Sequence, residues 1–171
     1  RNMALSEANI LYARTLTQAI RRGIKIVYKD TWFWKMLNVL TIIVTFGRNN
    51  TFLLSITTVG KTVAVPRYWD TWTPEYKAAV LVHELVHVEQ AEKYTLLGFW
   101  FLYFLFPLPI GLAWFRYKFE RDAYLAELKL LKDPEARREQ VEFVVDEIAG
   151  AGYVWAWPFK KAARRWFEAN L

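Results

Sequence analysis

His83 and His87 are the only two histidines of this 171-residue chain, and they stand four apart around a glutamate in His83-Glu84-Leu85-Val86-His87. At ~3.6 residues per helical turn, positions i and i+4 lie on one face, so both imidazoles reach a single ion. Glu84 then lies beside that ion rather than on it, placed to take a proton from a water activated there. The spacing is that of the His-Glu-x-x-His zinc signature. With no cysteine in the chain, disulfides and thiolate metal sites are excluded, and only His, Asp and Glu remain as ligands. Two histidines with one carboxylate suit Zn²⁺, whose fourth position is left for water.

The signature needs a helix, and its flanks supply one. Ala78-Ala79-Val80-Leu81-Val82 contains no breaker, and Thr73-Pro74 offers an N-cap threonine followed by proline at the first helical position. On that helix the histidine face continues through Gln90, Ala91 and Tyr94, none of them a carboxylate, so the third ligand comes from elsewhere. The best source is the strongly helical stretch 115–128, in which Glu120, Ala123, Tyr124 and Glu127 share one face. Glu120 opens that face, and the small Ala123 lets two helices approach. Asp122 and Glu127 are rival ligands.

A His-Glu-x-x-His helix followed by a Glu-x-x-Ala helix resembles the glutamate-ligand branch of the zincin metallopeptidases, the gluzincins. The resemblance covers about residues 50–128, and it implies His83, His87 and Glu120 as zinc ligands, Glu84 as general base and then proton donor, and peptide hydrolysis as the reaction. Tyr124 or Tyr117 would steady the oxyanion. Two positions depart from the family pattern. Glu89 stands two after His87, where an apolar residue is usual, and Tyr124 stands four after Glu120, where several gluzincins carry an aspartate that orients a ligand histidine. The order of a hairpin, His-Glu-x-x-His-Val-x-Gln and Glu-x-x-Ala-Tyr is also similar to that of small bacterial zincin-like proteins. The competing reading is a non-catalytic domain, with a structural metal or a surface for a membrane or protein partner.

Between the ligands, residues 95–115 carry no charge, a length that by itself would span a ~30 Å hydrocarbon core. A straight span would put His83 and His87 on one side of a bilayer and Glu120 on the other. Pro107-Leu108-Pro109-Ile110-Gly111 resolves the conflict, because it breaks helical continuity and lets the chain return. The first arm, 95–106, would be only about 18 Å long as helix. The expected element is therefore an apolar, Pro-broken helical hairpin that dips into one leaflet or packs as core.

Around this centre the expected fold is α+β, a mainly helical zincin-like domain with a small β-hairpin before the signature helix. One domain is expected over 1–171, its metal-site core at about 50–128 and its C-terminal helices, 135–171, packed on that core. Residues 8–29 read as an N-terminal helix. Residues 32–46 read as a buried strand on their β-branched content, with room for a helical turn before it. Residues 51–58 and 61–65 read as two strands joined around Val59-Gly60, the pair with which zincins line a cleft for an extended peptide. Asp133-Pro134 ends the ligand helix; helices follow at 135–148 and 160–171, the latter with Phe159, Ala163, Trp166 and Phe167 as its apolar face.

The net charge of +6 and aromatic content of 18 % suit an anionic surface. The bases are scattered, with no nucleic-acid fold signature or basic tail. Expected partners are thus a peptide or protein substrate and membrane-surface lipid, with no nucleic acid. Residues 1–7 lack an apolar leader core, so the expected location is cytoplasmic or peripheral to a membrane.

Overall fold

The computed structural model describes residues 2–44, 52–104, 113–150, 153 and 156–171. They gather into two compact units, Arg1–Leu81 and Val82–Leu171, with the division inside one helix. The first unit holds α1 (Asn2–Arg21), β1 (Lys25–Tyr28), α2 (Trp32–Val44), β2 (Thr57–Val59), β3 (Thr62–Val65), a 3₁₀ turn (Trp69–Thr71) and the start of α3 (Pro74–Tyr94). The second holds the rest of α3, then α4 (Leu96–Phe104), α5 (Trp114–Leu128), α6 (Pro134–Ala149) and α7 (Lys160–Asn170). The class is the expected α+β, mostly helical, with one small sheet among the described residues.

In the first unit, α1 stops eight residues earlier than residues 8–29 suggested. Gly23 adopts φ +74°, and its N–H and that of Ile24 bond back to the carbonyls of Ile20 (2.9 Å) and Ala19 (3.0 Å). This is a Schellman ending: the left-handed glycine closes the helix and Ile24 buries behind it. The chain released there forms β1, which pairs in parallel with β3, Lys25 opposite Thr62 and Tyr28 opposite Val65. The expected hairpin forms between β2 and β3 with Gly60 at φ +57°, but its first strand is only three residues long and residues 52–54 turn instead.

The strand expected over 32–46 is a helix through Val44; Thr45 and Phe46 lie outside the described residues. Trp34, Asn38 and Ile42, spaced four apart, form its inner side, with Trp34 buried against Phe52. That helical-period anchor outweighs the few tenths of a kcal/mol by which each β-branched residue disfavours helix. Lys29, buried at the end of β1, spends its three ammonium donors on Phe52 O (2.7 Å), Ser55 O (2.9 Å) and Thr57 Oγ1 (2.6 Å).

Helix α3 begins as its sequence implies. Thr73 Oγ1 accepts from Tyr76 N at 3.3 Å, and Pro74 takes the first helical position. At its far end Thr95 adopts φ +61°, unusual for a β-branched residue, and opens α4 by accepting from Gly98 N at 3.3 Å through its hydroxyl. The nine residues of α4 span about 14 Å. No helix among the described residues is long and apolar enough to cross a membrane. The Pro-rich turn at 107–111 lies outside the described residues, but α4 and α5 on either side of it pack together through Phe99 stacked on Phe119, ring centroids 5.0 Å apart.

A second apolar cluster joins α5, α6 and α7 through Tyr117, Leu128, Val141, Val144, Val145, Ile148, Ala163 and Phe167. The last helix covers this core, while Lys160 pairs with Asp146 and Arg164 with Glu142 on the outer side. Phe159, assigned to the apolar face of that helix, is exposed. Asp133 caps α6 by accepting from Glu135 N at 3.0 Å, with Pro134 at the first position. Asp133→Ala is expected to cost about 1 kcal/mol. Chemical denaturation would measure it, and an unchanged midpoint would show that the cap is idle.

Candidate metal centre

Helix α3 sets His83 and His87 one turn apart, and their Nε2 atoms approach to 3.2 Å. Helix α5 brings Glu120 to the same point, its Oε2 3.5 Å from His83 Nε2 and its Oε1 3.7 Å from His87 Nε2. All three residues are buried, and their ligand atoms lie within 4.8 Å of one another.

The outer contacts fix what these atoms present inward. Gln90, one turn beyond His87, donates its amide to Phe119 O at 3.1 Å, which leaves Gln90 Oε1 to accept from His87 Nδ1 at 2.9 Å. His83 Nδ1 faces the Glu127 carboxylate at 3.3 Å, an ion-pair contact whose geometry falls short of a full hydrogen bond. With its proton on Nδ1, as these outer contacts favour, each neutral ring would turn an Nε2 lone pair to the centre. Glu120 Oε2 is buried there without a hydrogen-bond donor. Two imidazole lone pairs and a carboxylate converge, and the group can hold a metal ion. For Zn–N of ~2.05 Å and tetrahedral angles the two nitrogens would be roughly 3.3 Å apart, close to the separation of the two Nε2 atoms.

The same convergence governs the charge of the three side chains. Burial works against imidazolium, yet the Glu120 and Glu127 carboxylates close to its ring nitrogens, with the Glu84 charge nearby, push His83 up to about 10. His87 is also raised: burial opposes the shift, and the Glu120 charge outweighs it. Burial would raise Glu120, but the charge of His87 and the closeness of both imidazoles hold it well below the usual carboxylate range. The surrounding carboxylates thus favour positive charge between these groups.

Of the residues assigned from sequence, His83, His87 and Glu120 meet directly. Glu84 is buried, and its charge reaches both histidines. The Tyr124 ring packs edge-on against His83, centroids 4.5 Å apart, while its hydroxyl bonds the Tyr153 hydroxyl at 2.8 Å. Burial, followed by the Glu120 charge, drives the Tyr124 hydroxyl far above its ordinary range, so it stays protonated. Tyr117 lies in the α5–α6–α7 core, stacked on Trp157 at 4.9 Å. Of the rival ligands, Asp122 turns to Arg121 at 3.3 Å, whereas Glu127 stands behind His83 as its outer carboxylate.

Four further residues build the site without having been singled out. Gln90 orients His87, and its spacing of three was the available signal. Tyr103 donates its hydroxyl to Glu120 Oε1. Arg116 is buried beneath, donating to the carbonyls of Tyr103 (3.1 Å) and Tyr153 (3.2 Å) and so fixing both tyrosine backbones. No periodic signal marks Tyr103 within an uncharged aromatic run, and Tyr153 and Arg116 join the site only through packing.

Outer partners of metal-bound histidines hold the ring orientation and raise ligand basicity. Glu127→Gln is expected to weaken metal affinity about 10–100-fold without unfolding the chain. Competition with a chromophoric chelator would measure this, and an unchanged affinity would remove Glu127 from the centre. Comparison of the chain with protein-family models, curated proteins and solved structures gave no significant match.

Proposed function

We propose that this protein is a zinc-dependent metallopeptidase in which His83, His87 and Glu120 hold the ion. The observation that carries the reading is the buried meeting of two imidazole Nε2 atoms and an undonated carboxylate oxygen, backed by Gln90 and Glu127. Two imidazoles and a carboxylate, without thiolate, suit zinc best among common divalent ions. A bound Zn²⁺ supplies Lewis acidity and brings the acidity of water towards neutral pH.

The remaining chemistry belongs to the side chains. Glu84, adjacent to His83 on α3 and within electrostatic reach of both histidines, accepts the proton of the attacking water and passes it to the departing amine. Tyr124, held protonated against the His83 ring, is the nearest assigned hydroxyl to serve a developing oxyanion, provided that it exchanges its bond to Tyr153. Tyr103 keeps Glu120 oriented through its hydrogen bond.

A second reading, a non-catalytic metal centre, is favoured by the depth of the site: His83, Glu84, His87 and Glu120 are each at most 9 % exposed. Elemental analysis of purified wild type, His83→Ala and Glu120→Ala, followed by a peptide-library digest monitored by mass spectrometry, separates the readings. One zinc per chain with cleavage supports the peptidase. One zinc without cleavage, and unfolding on chelation, supports the structural centre.

A further inference from the structure

We infer that α2 is a docking helix for an anionic lipid bilayer, seated along the membrane surface by an outward apolar face and held there by the positive charge of the first unit. This inference is independent of the metal centre. Helix α2 reverses the usual arrangement of a surface helix. Its inner side is formed by Trp34, Leu37, Asn38 and Ile42, of which only Trp34 is fully buried, whereas Trp32, Phe33, Met36, Val39, Leu40 and Ile43 are exposed, Trp32 at 73 % and Ile43 at 64 %. Positions 32, 36, 39 and 43 follow helical spacing, so the exposed residues form one continuous stripe. Soluble surfaces scatter such residues singly, and a contiguous apolar stripe marks an interaction site.

Length and charge select the occupant. Thirteen helical residues span about 20 Å, too little to cross a ~30 Å hydrocarbon core, so the helix lies in the surface plane. No acid interrupts residues 32–44, and the one charged residue, Lys35, is exposed. The first unit carries eleven lysines and arginines against four acids, a net charge of +7, whereas the second unit has twelve against thirteen, net −1. The excess base of the whole chain therefore belongs to the unit that bears the stripe, with Lys25, Lys61 and Arg67 exposed on it. A second copy pairing through the same face would set +7 against +7. An anionic leaflet instead matches the charge of the unit, with Lys35 on the helix itself, and this attraction is screened by salt. Trp32 and Phe33 at the start of the helix suit the headgroup boundary, where aromatic rings prefer to sit.

The test is sedimentation of the full chain with phosphatidylcholine vesicles and with phosphatidylcholine–phosphatidylglycerol vesicles. The chain is expected to pellet with the anionic vesicles, more weakly as salt rises, and only slightly with phosphatidylcholine alone. Ile43→Asp and Leu40→Asp alter exposed positions, and each is expected to weaken binding about tenfold or more. Circular dichroism confirms their fold, and Ile43→Ala serves as a milder second variant. Because the chain has no cysteine, Ile43→Cys accepts a single environment-sensitive dye, whose emission should shift to the blue on vesicle binding. Absence of pelleting overturns the proposal. So does undiminished binding by the folded aspartate variants, which would leave electrostatics alone, or a dye shift that needs protein concentration but no vesicles, which would identify a second copy as the occupant.

Discussion

Glu84→Gln is expected to keep the metal and lose turnover by about 10²–10⁴-fold, the range in which a positioned general base contributes. The substitution preserves size but removes the negative charge and with it the ability to accept a proton. Glu84 sits on α3 between the two histidines, buried, and its charge is felt at both imidazoles. None of the atoms that converge on the centre belongs to it. Metal content should therefore stay at the wild-type ratio by elemental analysis while cleavage of a responsive peptide falls away. A variant that digests the same peptides at the wild-type rate would discard Glu84 as the base. A variant that loses the metal would make Glu84 part of the coordination instead.

Glu120→Ala should abolish stoichiometric metal binding. The change removes the only carboxylate of the group, and with it the charge that raises His87 and helps to raise His83. Its effect should exceed the roughly 10–100-fold assigned to an outer partner such as Glu127. Glu120 also accepts the Tyr103 hydroxyl from α4, so alanine removes that hydrogen bond as well. Glu120→Gln separates the two losses, because its amide oxygen still accepts from Tyr103 while the anionic ligand is gone. Thermal unfolding with and without added zinc is the readout. For wild type, a ligand at a hundred times its dissociation constant stabilises by about 2.7 kcal/mol. Both variants should show almost none of that gain, and the glutamine variant should keep the basal melting temperature more closely. A full zinc-induced shift in Glu120→Ala would return the third-ligand role to another residue.

Much of the site was legible because its first half is local. Residues four apart on a helix share a face whatever surrounds them, so His83 and His87 were bound to meet, and Thr73-Pro74 marked where that helix begins. The capped start of α6 at Asp133-Pro134 was readable on the same ground. The absence of charge over residues 95–115 pointed to two opposite structures, and the break at 107–111 decided between them only with the requirement that Glu120 return to the histidines. Elements without a strong period were misread. Residues 32–44 satisfy strand and helix composition alike, and the stop at Gly23 was overrun because the bases beyond it continue a helical pattern.

By itself, then, the amino-acid sequence determined the paired histidines, the glutamate between them, the helices that carry them and the mainly helical class. These follow from spacing, capping and breakers within one stretch of chain. Tertiary structure alone decided that Glu120 faces the histidines while Asp122 turns to Arg121. It also decided that Glu127 stands behind His83, that Tyr103 reaches Glu120 from an uncharged helix, and that α2 turns its apolar side outward. The physical reason is that periodicity sets which side chains share a face, but which face meets which is set by how the helices pack.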